Sequence, residues 1–131
     1  MEIRIFDVEH GFCAFAISDN GNTMLIDCGH NSTTGFNPYD YLNGIGCTGI
    51  ESFFVTNFDE DHVSGLPRLR ANYTRVPINI LHRNSSVSPD QLRAIKRERG
   101  GTIGPGIMAL LSMMDDYTGQ VNALPDYPRS L

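Results

Sequence analysis

Three acidic residues and a histidine follow an apolar run near the middle of the chain. Residues 53–55 are Phe-Phe-Val, and residues 56–62 are Thr-Asn-Phe-Asp-Glu-Asp-His. The apolar run predicts a buried strand, which would place the polar side chains at its end. Carboxylates and imidazoles are common ligands of zinc and related divalent ions. Asp59, Asp61 and His62 are therefore candidate metal ligands.

Size and composition indicate one soluble domain. The chain has 131 residues, of which 40% are apolar and 19% are charged, values that suit a single globular domain. The net charge of -5 argues against binding to a phosphate backbone as the main role. An odd count of cysteines (Cys13, Cys28 and Cys47) without a signal peptide predicts reduced thiols in the cytoplasm. No run has the length of a membrane span, so no membrane association is expected.

The strands that must position the candidate ligands are predicted from apolar and alternating runs. The first of them alternates in a way that predicts one well-buried face. An Asn-Gly turn at residues 19–22 predicts a hairpin between the second and third strands. The predicted strands are Glu2–Val8, Phe12–Ile17, Thr23–Cys28, Ile50–Thr56 and Val76–Leu81.

Helices are predicted between the later strands. Proline after a capping residue marks the start of two of them, at Asn37-Pro38 and at Ser88-Pro89. The chain is predicted to form one domain, 1–131, with a βββαβαβα core over 1–99. Residues 100–131 would supply a Gly-rich linker, a short helix and an irregular tail from Thr118. The predicted helices are Tyr39–Asn43, Asp61–Arg70, one that begins after Ser88, and Ile107–Tyr117.

This order of elements predicts an α/β fold, with a mixed β-sheet flanked by helices and right-handed crossovers between its later strands. Strands one, three, four and five should then run in the same direction. Their carboxyl ends would share one edge of the sheet, where open α/β sheets bind ligands. All four histidines of the chain follow these strands: His10, His30, His62 and His82.

Two segments together resemble the metallo-β-lactamase fold superfamily. They are residues 25–29, Leu-Ile-Asp-Cys-Gly, and residues 56–66, which contain the acidic turn. The similarity is greatest to the hydrolase domain of competence-type DNA-uptake proteins, and residues 6–11 and 41–46 also resemble that group. The resemblance covers the N-terminal half of such a domain and implies half of an αββα sandwich.

The resemblance implies a metal-dependent hydrolase. In the superfamily a His-x-His-x-Asp-His motif binds two zinc ions, and hydroxide held by the metal attacks an ester, phosphoester or amide. Asn57 holds the first position of this motif, Asp59 the second, Asp61 the third and His62 the fourth. Asn57 departs from the pattern, because a carboxamide is a poorer zinc ligand than imidazole. The resemblance also implies further metal ligands in the second half of such a domain, and this chain resembles only the first half.

Two interpretations of Asn57 remain open. Either His10 and His30 replace missing ligands, or the site has lost tight metal binding. Two loop acids also have simpler explanations, since Asp59 or Asp61 would serve equally well as a helix cap. Asp27 is expected to be a structural acid that accepts hydrogen bonds from backbone N–H groups.

Several other features have structural explanations beside the functional ones. His10 and His30 are as well explained by loop hydrogen bonds, and His82 by a surface position at a strand end. Cys13 and Cys28 are expected to be buried, unreactive thiols. The Met-containing run at residues 107–114 is expected to form core or an oligomer face. A basic helix face is expected to be solvated, or to form a weak nucleic-acid patch; it comprises Arg93, Lys96, Arg97 and Arg99.

The leading hypothesis is a cytoplasmic metallohydrolase that uses zinc, as one or two ions, or manganese. Asp59 and Asp61 would be the catalytic acids, and the substrate would be a small molecule or a phosphoester. A homodimer would be one way to complete the site. The alternative is a catalytically silent homologue that acts as an interaction or regulatory module. A nuclease of the same fold is a third hypothesis and rests on the basic helix.

Overall fold

The computed structural model describes residues 1–117 and 121–123. Within these residues, six strands, four α-helices and one 3-10 turn follow one another. In chain order they are β1 (Glu2–Ile5), β2 (Ala14–Ile17), β3 (Thr23–Ile26), α1 (Pro38–Gly44), β4 (Ile50–Phe54), the 3-10 turn (Glu60–His62), α2 (Leu66–Ala71), β5 (Ile78–Arg83), α3 (Pro89–Gly100), α4 (Pro105–Asp116) and β6 (Val121–Ala123).

The strands form one mixed sheet whose spatial order, β1-β2-β3-β4-β5-β6, equals their order in the chain. The pairs β1–β2 and β2–β3 are antiparallel, whereas β3–β4, β4–β5 and β5–β6 are parallel. Strands β1, β3, β4 and β5 therefore run in one direction. This confirms the predicted α/β class, the mixed sheet with flanking helices, and the shared carboxyl edge.

Local sequence signals explain several of these elements. The hairpin between β2 and β3 turns at Gly21, whose φ of +89° suits glycine. Helix α1 begins where the Asn37 side chain accepts the N–H of Tyr39 at 3.0 Å. Helix α3 begins with a capping box in which Ser88 and Gln91 bond each other's backbone N–H groups.

One face of the sheet packs against all four helices in a single apolar cluster. Its residues are contributed by alternate positions of the strands and by the inward faces of the helices. Central members are Phe15, Leu25, Phe53, Leu81, Leu42, Leu66, Leu69, Leu92 and Leu110. This layer fixes the strand ends, and therefore the loops that carry the candidate ligands.

The opposite face of the sheet is less well covered in the described residues. Ile3 and Ile5 on β1 are 58% and 70% exposed, so the prediction of a well-buried face on this strand is wrong. The alternation is present, but β1 lies at the edge of the sheet, and its apolar residues face away from the cluster.

Helix α2 differs from its prediction. A helix was expected over 61–70, but the chain forms the 3-10 turn first and α2 begins only at Leu66. Pro67 suits this start, because proline is favoured in the first turn of a helix, where its missing N–H has no intrahelical acceptor. Asp59 and Asp61 make no hydrogen bond that caps α2, so the capping explanation is also wrong.

The region after residue 99 is more ordered than predicted. Helix α4 buries Leu110, Met113 and Met114, which confirms a core role for the Met-containing run. Val121–Ala123 forms a strand instead of an irregular tail; the remainder of the tail lies outside the described residues. Among the helices of residues 1–117, none is long and apolar enough to cross a bilayer.

Candidate metal centre

Glycines bring three loops together at the carboxyl edge of the sheet. A Cβ atom on Gly11 would lie 1.7 Å from the backbone oxygen of Asp61, and one on Gly29 would lie 2.7 Å from the same atom. Both loops therefore pack directly on the backbone of the acidic turn. The sequence prediction that the segments after β1, β3 and β4 meet at this edge is confirmed.

Asp27 is the buried centre of this arrangement. Its residue is 0% exposed and adopts a left-handed φ of +55°, a conformation that Asp tolerates better than most residues. The carboxylate accepts the backbone N–H of Thr56 at 2.8 Å and also the Thr56 hydroxyl. Its second oxygen lies 2.8 Å from Nδ1 of His62. Asp27 thus ties two loops together, as predicted, and also orients a candidate ligand.

Asp61 and His62 are arranged as two ligands of one ion would be. Nε2 of His62 lies 3.9 Å from Oδ1 of Asp61. Neighbouring ligands of tetrahedral zinc lie roughly 3.3 Å apart, since each bond is about 2.0–2.1 Å long. Metal-binding imidazoles commonly donate their other ring N–H to a carboxylate, and Asp27 provides that acceptor. These two residues therefore remain the candidate ligands of a divalent ion.

Asn57 and Asp59 fit an ion less well. The side-chain oxygen of Asn57 accepts the backbone N–H of Asp59 at 2.9 Å, so it closes a local turn. Asp59 forms an ion pair with Lys96, whose Nζ lies 3.5 Å from Oδ1. Lys96 thus supplies a positive charge beside a residue that was predicted to be a metal ligand. Within residues 1–117 and 121–123, no three His, Cys, Asp or Glu side chains are close enough to hold an ion together.

A cleft of about 520 Å³ is lined by several of the other candidate residues. Two histidines, His10 and His30, line it together with Ser64 and with the acidic turn. Its full lining is Val8, Glu9, His10, His30, Ser32, Asp59, Glu60, Asp61 and Ser64. Sequence reasoning missed Ser64, because a single serine in a turn carries no signal of a functional role.

His82 does not line this cleft. It lies on β5, on the face of the sheet opposite the apolar cluster, where its ring stacks on Phe54 with centroids 4.2 Å apart. Its Nε2 lies 3.2 Å from the Ser52 hydroxyl, and burial lowers the pKa of the imidazole. The edge of the sheet therefore groups three of the four histidines, and His82 is separate from them.

The loop that carries His10 is held by Glu9, which has a left-handed φ of +66°. Its Oε1 accepts the backbone N–H of Ser32 at 3.0 Å and the Ser32 hydroxyl at 3.1 Å. These hydrogen bonds, the hydroxyl contact foremost, hold the pKa of the Glu9 carboxyl below its usual range. The loops after β1 and β3 are thereby joined on the outer side of the cleft.

Glu60 has a structural role that the sequence did not reveal. Its carboxylate accepts the backbone N–H groups of Gly106 at 2.8 Å and Ile107 at 3.0 Å. It therefore caps the start of α4, where free N–H groups and the helix dipole favour a negative charge. A Cβ on Gly104 or Gly106 would collide with this carboxylate, which explains both glycines.

Replacing Glu60 with alanine should lower the free energy of unfolding by about 1–2 kcal/mol, the usual cost of losing a helix cap. Urea denaturation measures this directly. Glu98 is an exposed helical residue, and Glu98→Ala is a matched control that should change stability by less than about 0.5 kcal/mol. Equal stability of the two variants would contradict the capping role of Glu60.

The cysteines take no part in the site. All three are free thiols, and Cys13 and Cys28 are both 0% exposed. Burial raises the pKa of Cys13 to about 12 and that of Cys28 well above its usual value. Because the thiolate is the reactive form, this supports the prediction of unreactive buried thiols.

Ion pairs occupy much of the basic helix face. Arg93 lies 3.0 Å from Asp90 and 3.7 Å from Asp115, and Lys96 pairs with Asp59. The exposed arginines of this face are Arg97 and Arg99. The prediction of a simply solvated face is therefore wrong for Arg93 and Lys96, because acids from other segments fold against them.

No family model matches this chain, and a search of curated proteins gives no match.

Proposed function

We propose that this protein is a metal-dependent hydrolase of the metallo-β-lactamase type, with Asp61 and His62 as ligands of a divalent ion. The observation that carries the proposal is that the side chains of Asp27, His62 and Asp61 lie next to one another in this order. A buried carboxylate lies 2.8 Å from one ring nitrogen of His62, and the other ring nitrogen lies 3.9 Å from the carboxylate of Asp61.

The residues of this chain would bind and orient the ion. Asp27 would keep the proton of His62 on Nδ1, so that Nε2 is free to coordinate. Asp61 would supply negative charge beside it. When bound, zinc or manganese supplies Lewis-acid chemistry: it lowers the pKa of a water molecule and polarises a carbonyl or phosphoryl oxygen. Two ligands do not complete a site, and since no third such side chain among the described residues is close enough to join them, the proposal takes the remaining donors from a second copy of the chain.

The cleft supports a small substrate. Its volume of about 520 Å³ lies within the range of small-molecule sites. Four acids line it, namely Glu9, Asp59, Glu60 and Asp61, and they favour a cation over a polyanion such as nucleic acid. The proposed substrate class is a small ester, phosphoester or amide, and a phosphoester would need the bound cation to offset the charge of these acids. The free thiols support a cytoplasmic location as part of the same proposal.

Zinc titration tests the site. Isothermal titration of the purified protein should show binding, and the double variant Asp61→Ala His62→Ala should bind at least about 10²-fold more weakly, because both ligands are lost. The matched control is Asp19→Ala His82→Ala, which removes the same residue types outside the cleft and should bind as the wild type does. Equal zinc binding by the wild type and the Asp61/His62 variant would refute the proposal.

A second candidate function is an interaction or regulatory module without catalysis. The ion pair between Lys96 and Asp59 and the local bond of Asn57 favour it, because both reduce the number of side chains free for metal. Assays with ester, phosphoester and lactam substrates, in the presence of zinc or manganese, separate the two functions. Turnover that is lost in the Asp61/His62 variant supports the hydrolase, and an absence of turnover supports the module.

A further inference from the structure

Ser64 and His30 form a close polar pair inside the cleft. Oγ of Ser64 lies 2.6 Å from Nδ1 of His30. The backbone N–H of His30 also donates to this hydroxyl oxygen, at 3.1 Å. Both residues line the cleft, in which His30 is exposed and Ser64 is half-buried.

Backbone contacts hold the pair in place. The N–H of Gly65, next to Ser64, donates to the carbonyl of Cys28 at 2.7 Å, and the N–H of Cys28 donates to the carbonyl of His62 at 2.7 Å. A Cβ on Gly65 would lie 2.7 Å from Cδ of Pro38 and 2.9 Å from the Cys28 oxygen. The two loops that carry Ser64 and His30 are therefore fixed against each other before any ligand binds.

The direction of this hydrogen bond depends on which ring nitrogen of His30 carries the proton. A serine hydroxyl has one proton and two lone pairs. Since the oxygen already accepts the backbone N–H of His30, its own proton is available for Nδ1 when the ring proton of His30 is on Nε2. The second lone pair of the oxygen is then left for an electrophile. A hydroxyl bonded to an imidazole base is the arrangement of an activated serine nucleophile.

We infer that Ser64 is a nucleophile, with His30 as its base, and that it cleaves activated carboxylic esters without a metal ion. The inference goes beyond the proposed metal-dependent function, because it needs neither Asp61 nor His62. It assigns His30 to the serine, in contrast to the earlier expectation that His30 binds metal.

The reaction has two balanced steps. Oγ of Ser64 bonds to the ester carbonyl carbon while its proton passes to Nδ1 of His30; the bond to the leaving oxygen then breaks, and that oxygen takes the proton and leaves as an alcohol. Water next attacks the acyl-serine and gives a proton to His30. The bond between the acyl group and Oγ breaks, Ser64 regains the proton, and the carboxylic acid is released.

Labelling with a fluorophosphonate in the presence of EDTA tests the inference. The Ser64 oxygen would displace fluoride from phosphorus, and mass spectrometry should place one adduct on Ser64. Ser64→Ala should abolish the adduct, and His30→Gln should slow labelling about 10²-fold or more, the range of general-base catalysis. Ser86 is exposed and lies outside the cleft, with its hydroxyl bonded to Asn84, so Ser86→Ala should label as the wild type does.

Two results would overturn the inference: no adduct on Ser64 in the wild type, or equal labelling of the wild type and His30→Gln. A measurement on the unmodified protein removes any dependence on how the variants fold. Nitrogen-15 NMR of His30 should show the ring proton on Nε2, and a proton on Nδ1 would exclude Nδ1 as the base. If the wild-type protein bound no zinc but was still labelled at Ser64, the proposed metal centre would be refuted and the serine inference would stand.

Discussion

Replacing Gly11 with alanine should lower the free energy of unfolding by about 3 kcal/mol or more, beyond the usual range for overpacking. The new methyl group would lie 1.7 Å from the backbone oxygen of Asp61. A backbone atom cannot rotate away as a side chain can, so the loops after β1 and β4 would have to separate. The same movement would displace the acidic turn and should weaken zinc binding.

Urea denaturation and zinc titration of the variant measure both effects. Gly44→Ala is the matched control, because a Cβ at Gly44 would meet nothing within 4 Å and this glycine lies in helix α1. In that helix alanine is favoured, so the control should be neutral or more stable by up to about 1 kcal/mol. If Gly11→Ala were as stable as this control, the close packing of the loops would be incorrect.

Removing the Asp27 carboxylate should have the second large effect. Asp27→Ala would leave the N–H of Thr56 and Nδ1 of His62 without their acceptor. Each buried donor that loses its acceptor costs about 1–3 kcal/mol, so the loss of the acceptor of both groups costs about 2–6 kcal/mol. The free energy of unfolding should fall by roughly that amount.

The conservative variant Asp27→Asn separates folding from function. Asparagine also tolerates the left-handed backbone of residue 27 and can still accept the N–H of Thr56, so the loss of stability should be smaller, about 1–2 kcal/mol. Its amide group would replace the oxygen that faces His62 and could only donate to Nδ1. The ring proton would then move to Nε2, the nitrogen needed for metal.

Zinc affinity of Asp27→Asn should therefore fall about 10–100-fold, as expected when a ligand's supporting carboxylate is removed. Isothermal titration gives the affinity and urea denaturation gives the stability. An Asn variant that binds zinc as tightly as the wild type would show that Asp27 has a structural role alone.

Features with local signals were predicted from the sequence. Asn37 and Ser88 each precede a proline and cap a helix, and Gly21 allows the hairpin turn; in each case the residues that decide the structure are neighbours in the chain. The parallel arrangement of the later strands followed from the order of elements, and it brought the acidic turn, His10 and His30 to one edge.

Features that depend on distant pairs were not predicted. Glu60 caps a helix that begins 45 residues later, at Pro105, and Lys96 reaches Asp59 from another helix. No periodicity or motif relates such residues, because only the folded sheet brings them together. The prediction of a well-buried face on β1 was wrong for the same reason. Alternation shows which side chains share a face of a strand, but not whether another layer covers that face.

The agreement between strand order and chain order has a consequence for how the protein folds. During synthesis each new strand finds its neighbour already made, since β2 pairs with β1, β3 with β2, and so on to β6. The sheet needs no pairing between its first and last strands, so no loop has to close over the whole chain before neighbouring strands can pair. Assembly can then advance from the amino terminus as the ribosome releases the chain.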